Sequence, residues 1–398
     1  MRPDSTGSPV PVCERCSDPT ELVGEDYAGS MKAIAIRPGT PDSVHLRDLP
    51  RPSIDEVPGG RGARVSIIRA GLCGTDADLA AGEYGVAPPG QDFLVLGHES
   101  LGRITEVGPA ADLAPGQLVV PTIRRPGDSA YDRIGRPDLS TDAVFIETGI
   151  SQAHGFMREE LVVDAQYLVP VPVELEDVAI LTEPLSCITK SLRQADQVQV
   201  RLDLWEPRRA LVTGASTIGL LATLALRLRG LEVTTYARRP APYRNSELIE
   251  RLGARYVSAS EADLRGLVEA DGPFDIVFEG SGAPALIEPA ISALAPNGVA
   301  ALFSVTPGSR PLEVDMAGLN QSMGLSHRAL VGSAAAAWDD YAGAIATIGR
   351  AQAGAGTRGW LNALLTDRIA GFEPEVIAGH LAGAGDHIKT TVEIAEAS

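Results

Sequence analysis

The sequence predicts an α/β protein with two domains, a mainly β domain and a doubly wound parallel sheet. Short β-rich runs punctuated by Pro and Gly fill residues 31–170. Strand and helix signals alternate over residues 209–333, which is the pattern of a parallel sheet covered by helices on both faces. A chain of 398 residues is long enough for both domains.

The composition restricts the class of partner. A formal net charge of −18 argues against a nucleic acid or an anionic membrane surface. The sequence has no apolar run long enough to span a membrane, and its first residues do not match a signal peptide. Its four cysteines do not suggest a disulfide framework. We therefore expect a cytoplasmic protein.

Residues 1–30 are predicted to form a disordered tail, because they are rich in Pro, Ser, Gly and acidic residues and show no periodicity. The tail contains Cys13 and Cys16 in a C-x-x-C spacing. No second pair follows to complete a zinc knuckle, so we interpret this pair as incidental. The fold is expected to begin with a strand at Met31.

The first domain is expected to consist of strands separated by turns. The β-rich runs that predict these strands lie at residues 64–69, 101–107, 117–120 and 161–163. Residues 124–146 are polar and contain Pro and Gly, so they are expected to form a long loop. Long loops in compact domains are usually functional or mobile.

Two Gly-rich turns in this domain carry candidate metal ligands. Cys73 lies in the first turn, and His98 and Glu99 lie in the second, 25 residues after the cysteine. Thiolate, imidazole and carboxylate groups bind zinc, and three protein ligands with an open position make a catalytic site. Thr75 follows Cys73 by two residues, where its hydroxyl could pass a proton from a substrate alcohol to solvent.

The second domain begins with a nucleotide-binding pattern. A buried strand is predicted from residue 209 and a helix over residues 217–228. The turn between them reads Gly214-Ala-Ser-Thr-Ile-Gly219, a dinucleotide fingerprint in which Ser216 replaces the middle glycine. Backbone N–H groups at the start of the helix would hold a pyrophosphate. Further strands are predicted at residues 231–236, 254–258, 274–278, 299–305 and 329–332, a helix at 338–351 and a closing strand at 387–394.

The residues after the second strand of this pattern indicate the cofactor. A site for NAD carries an acidic residue about 20 residues past the glycines, where it binds the ribose hydroxyls. Here the chain reads Tyr236-Ala237-Arg238-Arg239 and has no acid. Guanidinium groups match phosphate in geometry and charge, so the pair favours NADP. NAD, or use of both cofactors, remains an alternative.

Glu183 precedes this domain in the run LTEPLS, and its place at the domain junction predicts that it faces an interdomain cleft.

Taken together, the motifs resemble the zinc-dependent medium-chain dehydrogenases, and within them the glucose dehydrogenase branch. The resemblance covers residues 31–398 and rests on GLCGTD, FLVLGHE, VVPTIRRP, ETGI followed by HGFM, LTEPLS, LAPNGV, RALVGS and HIKTTVE. It implies a GroES-like, mainly β catalytic domain from residues 31–193 and 336–398. It also implies a Rossmann dinucleotide-binding domain from residues 194–335.

The resemblance also implies roles for single residues. Cys73, His98 and Glu183 match the positions that bind the catalytic zinc. Thr75 matches the relay hydroxyl, and Glu99 matches an acid beside the metal and the substrate. Glu147, in ETGI, matches an acid that contacts sugar hydroxyls. The positions that match the cofactor site are Gly214, Ser216, Thr217, Ile218, Gly219, Arg238 and Arg239.

This chain departs from the family pattern at two places. Many members carry a cysteine cluster for a structural zinc in the segment that corresponds to residues 124–146, which contain no cysteine here. We therefore expect one zinc per chain at most. The branch usually has an Asn after the RALVGS motif, where this chain has alanines at residues 334–337. Loss of a sugar-binding amide puts glucose itself in question, and an aminosugar or a cyclitol is an alternative substrate.

The sequence thus predicts a zinc-dependent oxidoreductase that transfers a hydride between a sugar or polyol and NADP. A zinc-free NADPH-dependent reductase and a non-catalytic NADPH-binding protein are the alternatives. By analogy with the family, we expect a homo-oligomer, either a dimer or a tetramer.

Overall fold

The computed structural model describes residues 29–305, 309–383 and 385–395. The tail predicted for residues 1–30 therefore lies almost entirely outside the described residues, as do Cys13 and Cys16. The first part of the chain contains two short helices, α1 (Gly74–Ala80) and α2 (Ala130–Arg133). Its strands are β1 (Ser30–Ile36), β2 (His45–Pro50), β3 (Gly62–Leu72), β4 (Leu94–Val95), β5 (Glu99–Val107), β6 (Leu118–Pro121), β7 (Arg124–Arg125), β8 (Ile146–Thr148), β9 (Gln152–Ala153), β10 (Glu160–Asp164) and β11 (Leu168–Val171).

A long helix, α3 (Thr182–Gln199), connects this part to the nucleotide-binding sheet. The strands of that sheet are β12 (Arg209–Thr213), β13 (Glu232–Ala237), β14 (Arg255–Ser258), β15 (Phe274–Glu279), β16 (Leu294–Leu302) and β17 (Ala329–Gly332). The helices between them are α4 (Thr217–Leu228), α5 (Arg244–Arg251), α6 (Leu264–Asp271), α7 (Pro284–Ser292) and α8 (Met316–Leu325). The chain continues with α9 (Trp338–Ala353), β18 (Leu365–Ala370), α10 (Pro374–Leu381) and β19 (Lys389–Glu393).

The six strands of the nucleotide-binding sheet are all parallel, in the order β14-β13-β12-β15-β16-β17. This is the Rossmann order, in which the switch point lies between the first and fourth strands and ligands bind at their carboxyl ends. The predicted α/β fold class is confirmed. The predicted helix over residues 217–228 coincides with α4.

The main sheet of the first part is completed by the end of the chain. Its order is β11-β6-β5-β3-β19-β18, with β10 also paired to β3. Strand β19 runs antiparallel to β3, so that Thr390 lies opposite Leu72 and Glu393 opposite Arg69. The chain thus leaves this sheet, builds the nucleotide-binding sheet, and returns.

The segment at residues 124–146 differs from the predicted long loop. It contains β7, α2 and a 3-10 turn at Pro137–Leu139, and it is held by polar side chains. Asp132 accepts hydrogen bonds from the Ser129 N–H and the Ser140 hydroxyl. Buried Asp138 pairs with buried Lys190 of α3 at 3.0 Å. A local cap and an ion pair with a distant partner produced local structure that the polar composition did not indicate.

Helix α3 packs against α4 and α9, and it shares with them a core that extends under the nucleotide-binding sheet. Its third residue is Pro184, which the first turn of a helix accepts because the N–H there has no intrahelical partner. Among the described residues, no helix is both long and apolar enough to cross a membrane.

Candidate active site

Cys73 lies at the junction between β3 and α1, where the chain turns from strand to helix. It is the N-cap residue of α1, and its own N–H donates to Asp76 Oδ2 at 3.0 Å. The Thr75 N–H donates to Cys73 Sγ at 3.3 Å. This reciprocal cap holds the thiol at the start of the helix.

His98 lies beside Cys73 and is buried. Its Nε2 is 2.9 Å from Cys73 Sγ, and its Nδ1 is 3.4 Å from Asp76 Oδ1. Asp76 is fully buried and is the same carboxylate that caps Cys73. A carboxylate behind a histidine is the arrangement that orients metal-binding imidazoles, so this side chain serves both candidate ligands.

Glu99 completes a group of three potential ligands. Within the part of the chain that the structure describes, a group of three or more metal-ligand side chains occurs at Cys73, His98 and Glu99, whose ligand atoms lie within 4.8 Å of one another. Glu99 also forms a buried ion pair with Lys389 of β19, whose ammonium group donates to the Leu72 carbonyl at 2.9 Å. Burial disfavours the charged form of Lys389, but Glu99, Cys73 and Asp76 together raise its pKa.

Glu183 approaches this group from the first turn of α3, yet it is not one of the three. Its Oε1 lies 3.7 Å from the thiol of Cys187, one helical turn further along. Burial, together with the neighbouring Glu99, raises the pKa of Glu183 to about 7, against the lowering effects of His98 and Lys389. The structure thus brings Cys73, His98 and Glu99 into contact distance and leaves Glu183 turned toward its own helix.

The protonation of His98 matters for any cation at this site. Burial opposes its protonation, but Cys73 and Asp76 raise its pKa well above the usual range. A metal ion binds neutral imidazole and thiolate, so it must release protons from this pair. Thiol, imidazole and carboxylates around a buried point match the donor set of zinc.

A second polar pair lies on β7 and β8. Glu147 of β8 forms an ion pair with Arg124 of β7, with Glu147 Oε1 and Arg124 Nη2 2.9 Å apart, and the two side chains are 10% and 7% exposed. The Arg124 guanidinium also stacks over the Phe145 ring at 4.1 Å. Two residues after Glu147, Gly149 lies so close to the strand before His98 that a Cβ there would stand 2.3 Å from the Gly97 carbonyl oxygen. The turn after β8 therefore packs directly against the turn that carries His98.

The predicted nucleotide turn lies at the carboxyl end of β12. Gly214 has φ +91° and α4 begins at Thr217, with Ser216 as its N-cap. A Cβ at Gly219 would stand 2.1 Å from the Gly214 carbonyl oxygen, so only glycine fits there. Ile218 packs against the core. No side-chain cap covers the first N–H groups of α4, which leaves them available to an anion.

Arg238 and Arg239 follow β13 at the same edge of the sheet, and both are exposed. Arg239 Nη1 lies 3.1 Å from Asp386 Oδ1, and its guanidinium stacks over the Tyr243 ring at 4.6 Å. Among the described residues, the Arg238 side chain forms no ion pair. A phosphate at this edge would meet one free guanidinium and one paired with an acid.

Four residues with clear roles in this geometry were not singled out from the sequence: Asp76, Arg124, Asp386 and Lys389. Asp76 follows Cys73 by three residues, a capping spacing that could have been recognised. Arg124 and Lys389 lie in motifs already noted, but their partners could not be read from spacing. Glu99 and Lys389 meet only because β19 returns to β3.

Comparison with known proteins identifies the family. The family described as Alcohol dehydrogenase GroES-like domain matches residues 59–173, and the family described as Glucose dehydrogenase C-terminus matches residues 176–394. Glucose 1-dehydrogenase 2 of Vulcanisaeta moutnovskia is 37% identical over 372 residues, which is 92% of this chain and 99% of the relative. The chain belongs to the glucose dehydrogenase branch of the zinc-dependent medium-chain dehydrogenases.

Further relatives agree with this membership. Glucose 1-dehydrogenase 1 of Caldivirga maquilingensis is also 37% identical, over 92% of this chain and 99% of the relative. The solved structure of Haloferax mediterranei glucose dehydrogenase in complex with NADP, Zn and gluconolactone superposes with a TM-score of 0.82. It is 31% identical and covers 92% of this chain and all of its own. The resemblance noted from the sequence is confirmed, and the chain is a dehydrogenase of this branch.

Proposed function

We propose that this protein oxidises a secondary alcohol or hemiacetal of a sugar or polyol and transfers the hydride to NADP, with one catalytic zinc per chain. The observation that carries the proposal is the buried contact of Cys73, His98 and Glu99 in a chain of this family. The related Haloferax enzyme, solved with NADP, Zn and gluconolactone, supports the same cofactors and a sugar-derived ligand.

Cys73, His98 and Glu183 would hold the zinc, with Glu99 beside it; Glu183 would have to turn from Cys187 toward the other two ligands. When bound, zinc supplies the Lewis acid that lowers the pKa of the substrate hydroxyl, and NADP supplies the hydride acceptor. Asp76 keeps the His98 ring turned so that Nε2 faces Cys73. Lys389 neutralises Glu99, so the site avoids a second uncompensated carboxylate next to Glu183.

Thr75 is proposed as the residue that accepts the substrate proton at its hydroxyl and passes it to solvent. The backbone N–H of Thr75 donates to the Cys73 thiol, so Thr75 lies next to the metal-ligand group. A hydroxyl can accept and donate at once, which a proton relay requires.

Glu147 is proposed to accept hydrogen bonds from the sugar hydroxyls, with Arg124 holding its carboxylate. An ionised carboxylate fixed by a guanidinium is a strong and directional acceptor. Residues 334–337 are alanines, so the amide used by many members is absent from that position. We therefore keep an aminosugar or a cyclitol beside glucose as the substrate.

At the cofactor site, we propose that the turn of Gly214, Ser216, Thr217, Ile218 and Gly219 binds the pyrophosphate. Arg238 and Arg239 would bind the 2′-phosphate. The uncapped start of α4 and the absence of an acid at the end of β13 support this assignment.

The test is reduction of NADP by purified, zinc-loaded protein across aldoses, aminosugars and cyclitols. We expect turnover on at least one of these, lost in a Cys73→Ser variant that still binds NADP. No turnover across the panel by protein with one zinc per chain would favour the non-catalytic alternative. Full turnover by metal-free protein on enones would favour the zinc-free reductase.

We also propose that the protein is a homodimer. Strand β17 is an edge strand, and Leu330 on it is 45% exposed. The adjacent helix α8 has no buried residue, and it exposes Met316 and Leu325. An uncovered apolar edge strand favours pairing with a second copy. A Leu330→Lys variant should run as a monomer by light scattering, whereas a monomeric wild type would contradict the proposal.

The cytoplasmic location stays a prediction from the sequence.

A further inference from the structure

The five residues from 385 to 389, here called the return segment, lead into β19 and contact residues at the carboxyl edge of the nucleotide-binding sheet. Three contacts attach the segment to the edge where the cofactor would bind. The Asp386 carboxylate pairs with Arg239, and the Asp386 carbonyl accepts from Arg244 Nη1 at 3.1 Å. The Ile388 carbonyl accepts from the Thr217 hydroxyl at 2.5 Å, at the first residue of α4.

The Asp386–Arg239 pair is exposed, unlike the buried pairs Asp138–Lys190 and Glu99–Lys389. The two side chains are 73% and 56% exposed, so the pair is screened by solvent and easily exchanged. Arg239 keeps a second support, since its guanidinium stacks over Tyr243. The arginine therefore stays in position when the carboxylate leaves.

We propose that Asp386 is a specificity-determining residue of the cofactor site, an internal anion that occupies Arg239 until the 2′-phosphate of NADP displaces it. This inference rests on the proposed role of Arg239 as a phosphate ligand. The phosphate carries nearly two negative charges, so it competes with Asp386 for the Arg239 guanidinium. It also repels the Asp386 carboxylate, which lies 3.1 Å from that guanidinium. NAD lacks this phosphate and leaves the Asp386–Arg239 pair in place.

The consequence is an asymmetric effect on the two cofactors. Binding of NADP must break the pair, whereas binding of NAD does not. Asp386 thus weakens the binding of NADP but not of NAD. It thereby reduces the preference for NADP over NAD that the two arginines create. Removal of its charge should release Arg239 without moving it.

The experiment measures the dissociation constants of NADP and NAD by calorimetry, with the full chain in its zinc-loaded form. Asp386→Asn keeps the size of the side chain and removes its charge. We expect NADP to bind about 2- to 5-fold more tightly, the equivalent of one exposed ion pair, and NAD to be unchanged. The matched control is Glu375→Gln on α10, an exposed acid with no ion pair among the described residues, which should change neither constant.

Two further variants separate the failure of this inference from the failure of the proposed binding of the 2′-phosphate by Arg238 and Arg239, here called the clamp. Arg239→Ala should weaken the binding of NADP. In the Arg239→Ala variant, Asp386→Asn should then raise the affinity for NADP less than it does in the wild type. If Arg239→Ala weakens NADP but Asp386→Asn leaves it unchanged or weaker, the clamp stands and the role of Asp386 is refuted. If Asp386→Asn tightens the binding of NADP and NAD equally, the role of Asp386 is also refuted. If Arg239→Ala leaves the affinity for NADP unchanged, both the role of Asp386 and the clamp are refuted.

Discussion

Replacement of Arg124 by Met tests whether the buried pair with Glu147 serves substrate binding. The pair is 2.9 Å long and both side chains are nearly buried, so removal of the cation leaves a carboxylate without its partner. Breaking such a pair costs about 3–5 kcal/mol, because the remaining charge is left buried and unpaired. Without Arg124, the Glu147 side chain is free to reorient and no longer offers a fixed, charge-assisted hydrogen bond to a sugar hydroxyl. Loss of one such bond, worth about 1.5–3 kcal/mol, lowers kcat/KM about 10- to 150-fold.

The assay is steady-state kinetics with the active sugar, together with zinc content and NADP affinity, which should be unchanged. Arg124→Lys keeps the positive charge but lacks the forked guanidinium group, so its kcat/KM should lie between those of the wild type and Arg124→Met. Phe145→Leu removes the stacking partner but leaves the ion pair, so it controls for loss of packing around Arg124. Because the pair acts as a unit, Arg124→Met and Glu147→Gln should be clearly non-additive. Wild-type kcat/KM in Arg124→Met, or additive effects in the double variant, would refute the reasoning.

Three other predictions concern the metal and the cofactor. Cys73→Ser should lower the zinc content from about one ion per chain to a small fraction while circular dichroism stays unchanged; a full complement of zinc would show that this thiol is not a ligand. Zinc affinity should rise with pH, because the metal must displace protons from His98, whose pKa is raised, and from Glu183, whose pKa is about 7. A flat profile in chelator competition between about pH 6 and 8 would contradict this linkage. Ala237→Asp should shift the ratio of specificity constants from NADP toward NAD, since it adds a carboxylate for the ribose hydroxyls and repels the phosphate; an unchanged ratio would move the cofactor-selecting residues elsewhere.

Much of the nucleotide-binding half could be predicted because its signals are local. The strand, the glycine turn and the helix that begins at Thr217 follow one another along the chain, and each has its own sequence signature. Helix α3 was not predicted, although it carries Glu183. Its first turn mixes Thr, Glu and Pro, and its packing against α4 and α9, which are distant in sequence, contributes to its stability.

The candidate site was predictable in its ligand types and less so in their arrangement. Cys73, His98 and Glu99 could be named because each follows a glycine turn of recognisable spacing. The orientation of Glu183 toward Cys187 rather than toward the other three depends on side-chain rotation, which sequence does not encode in any simple pattern. The same holds for Lys389, whose partner Glu99 is brought near by strand pairing.

The return of β19 to the first sheet has a consequence for how the protein is made. Strand β3 pairs with β5 along one edge, and β10 covers only residues 62–66 of the other edge. The rest of that edge, residues 69–72, pairs with β19, so that Arg69 meets Glu393 across 324 residues. The nucleotide-binding sheet, in contrast, consists of strands between residues 209 and 332. Because domains form as their residues emerge from the ribosome and distant pairings close last, the nucleotide-binding sheet can be complete while the first sheet is still open. Until Lys389 arrives, the buried charge of Glu99 has no cation beside it, so the metal-binding pocket is finished only with the last strand of the chain.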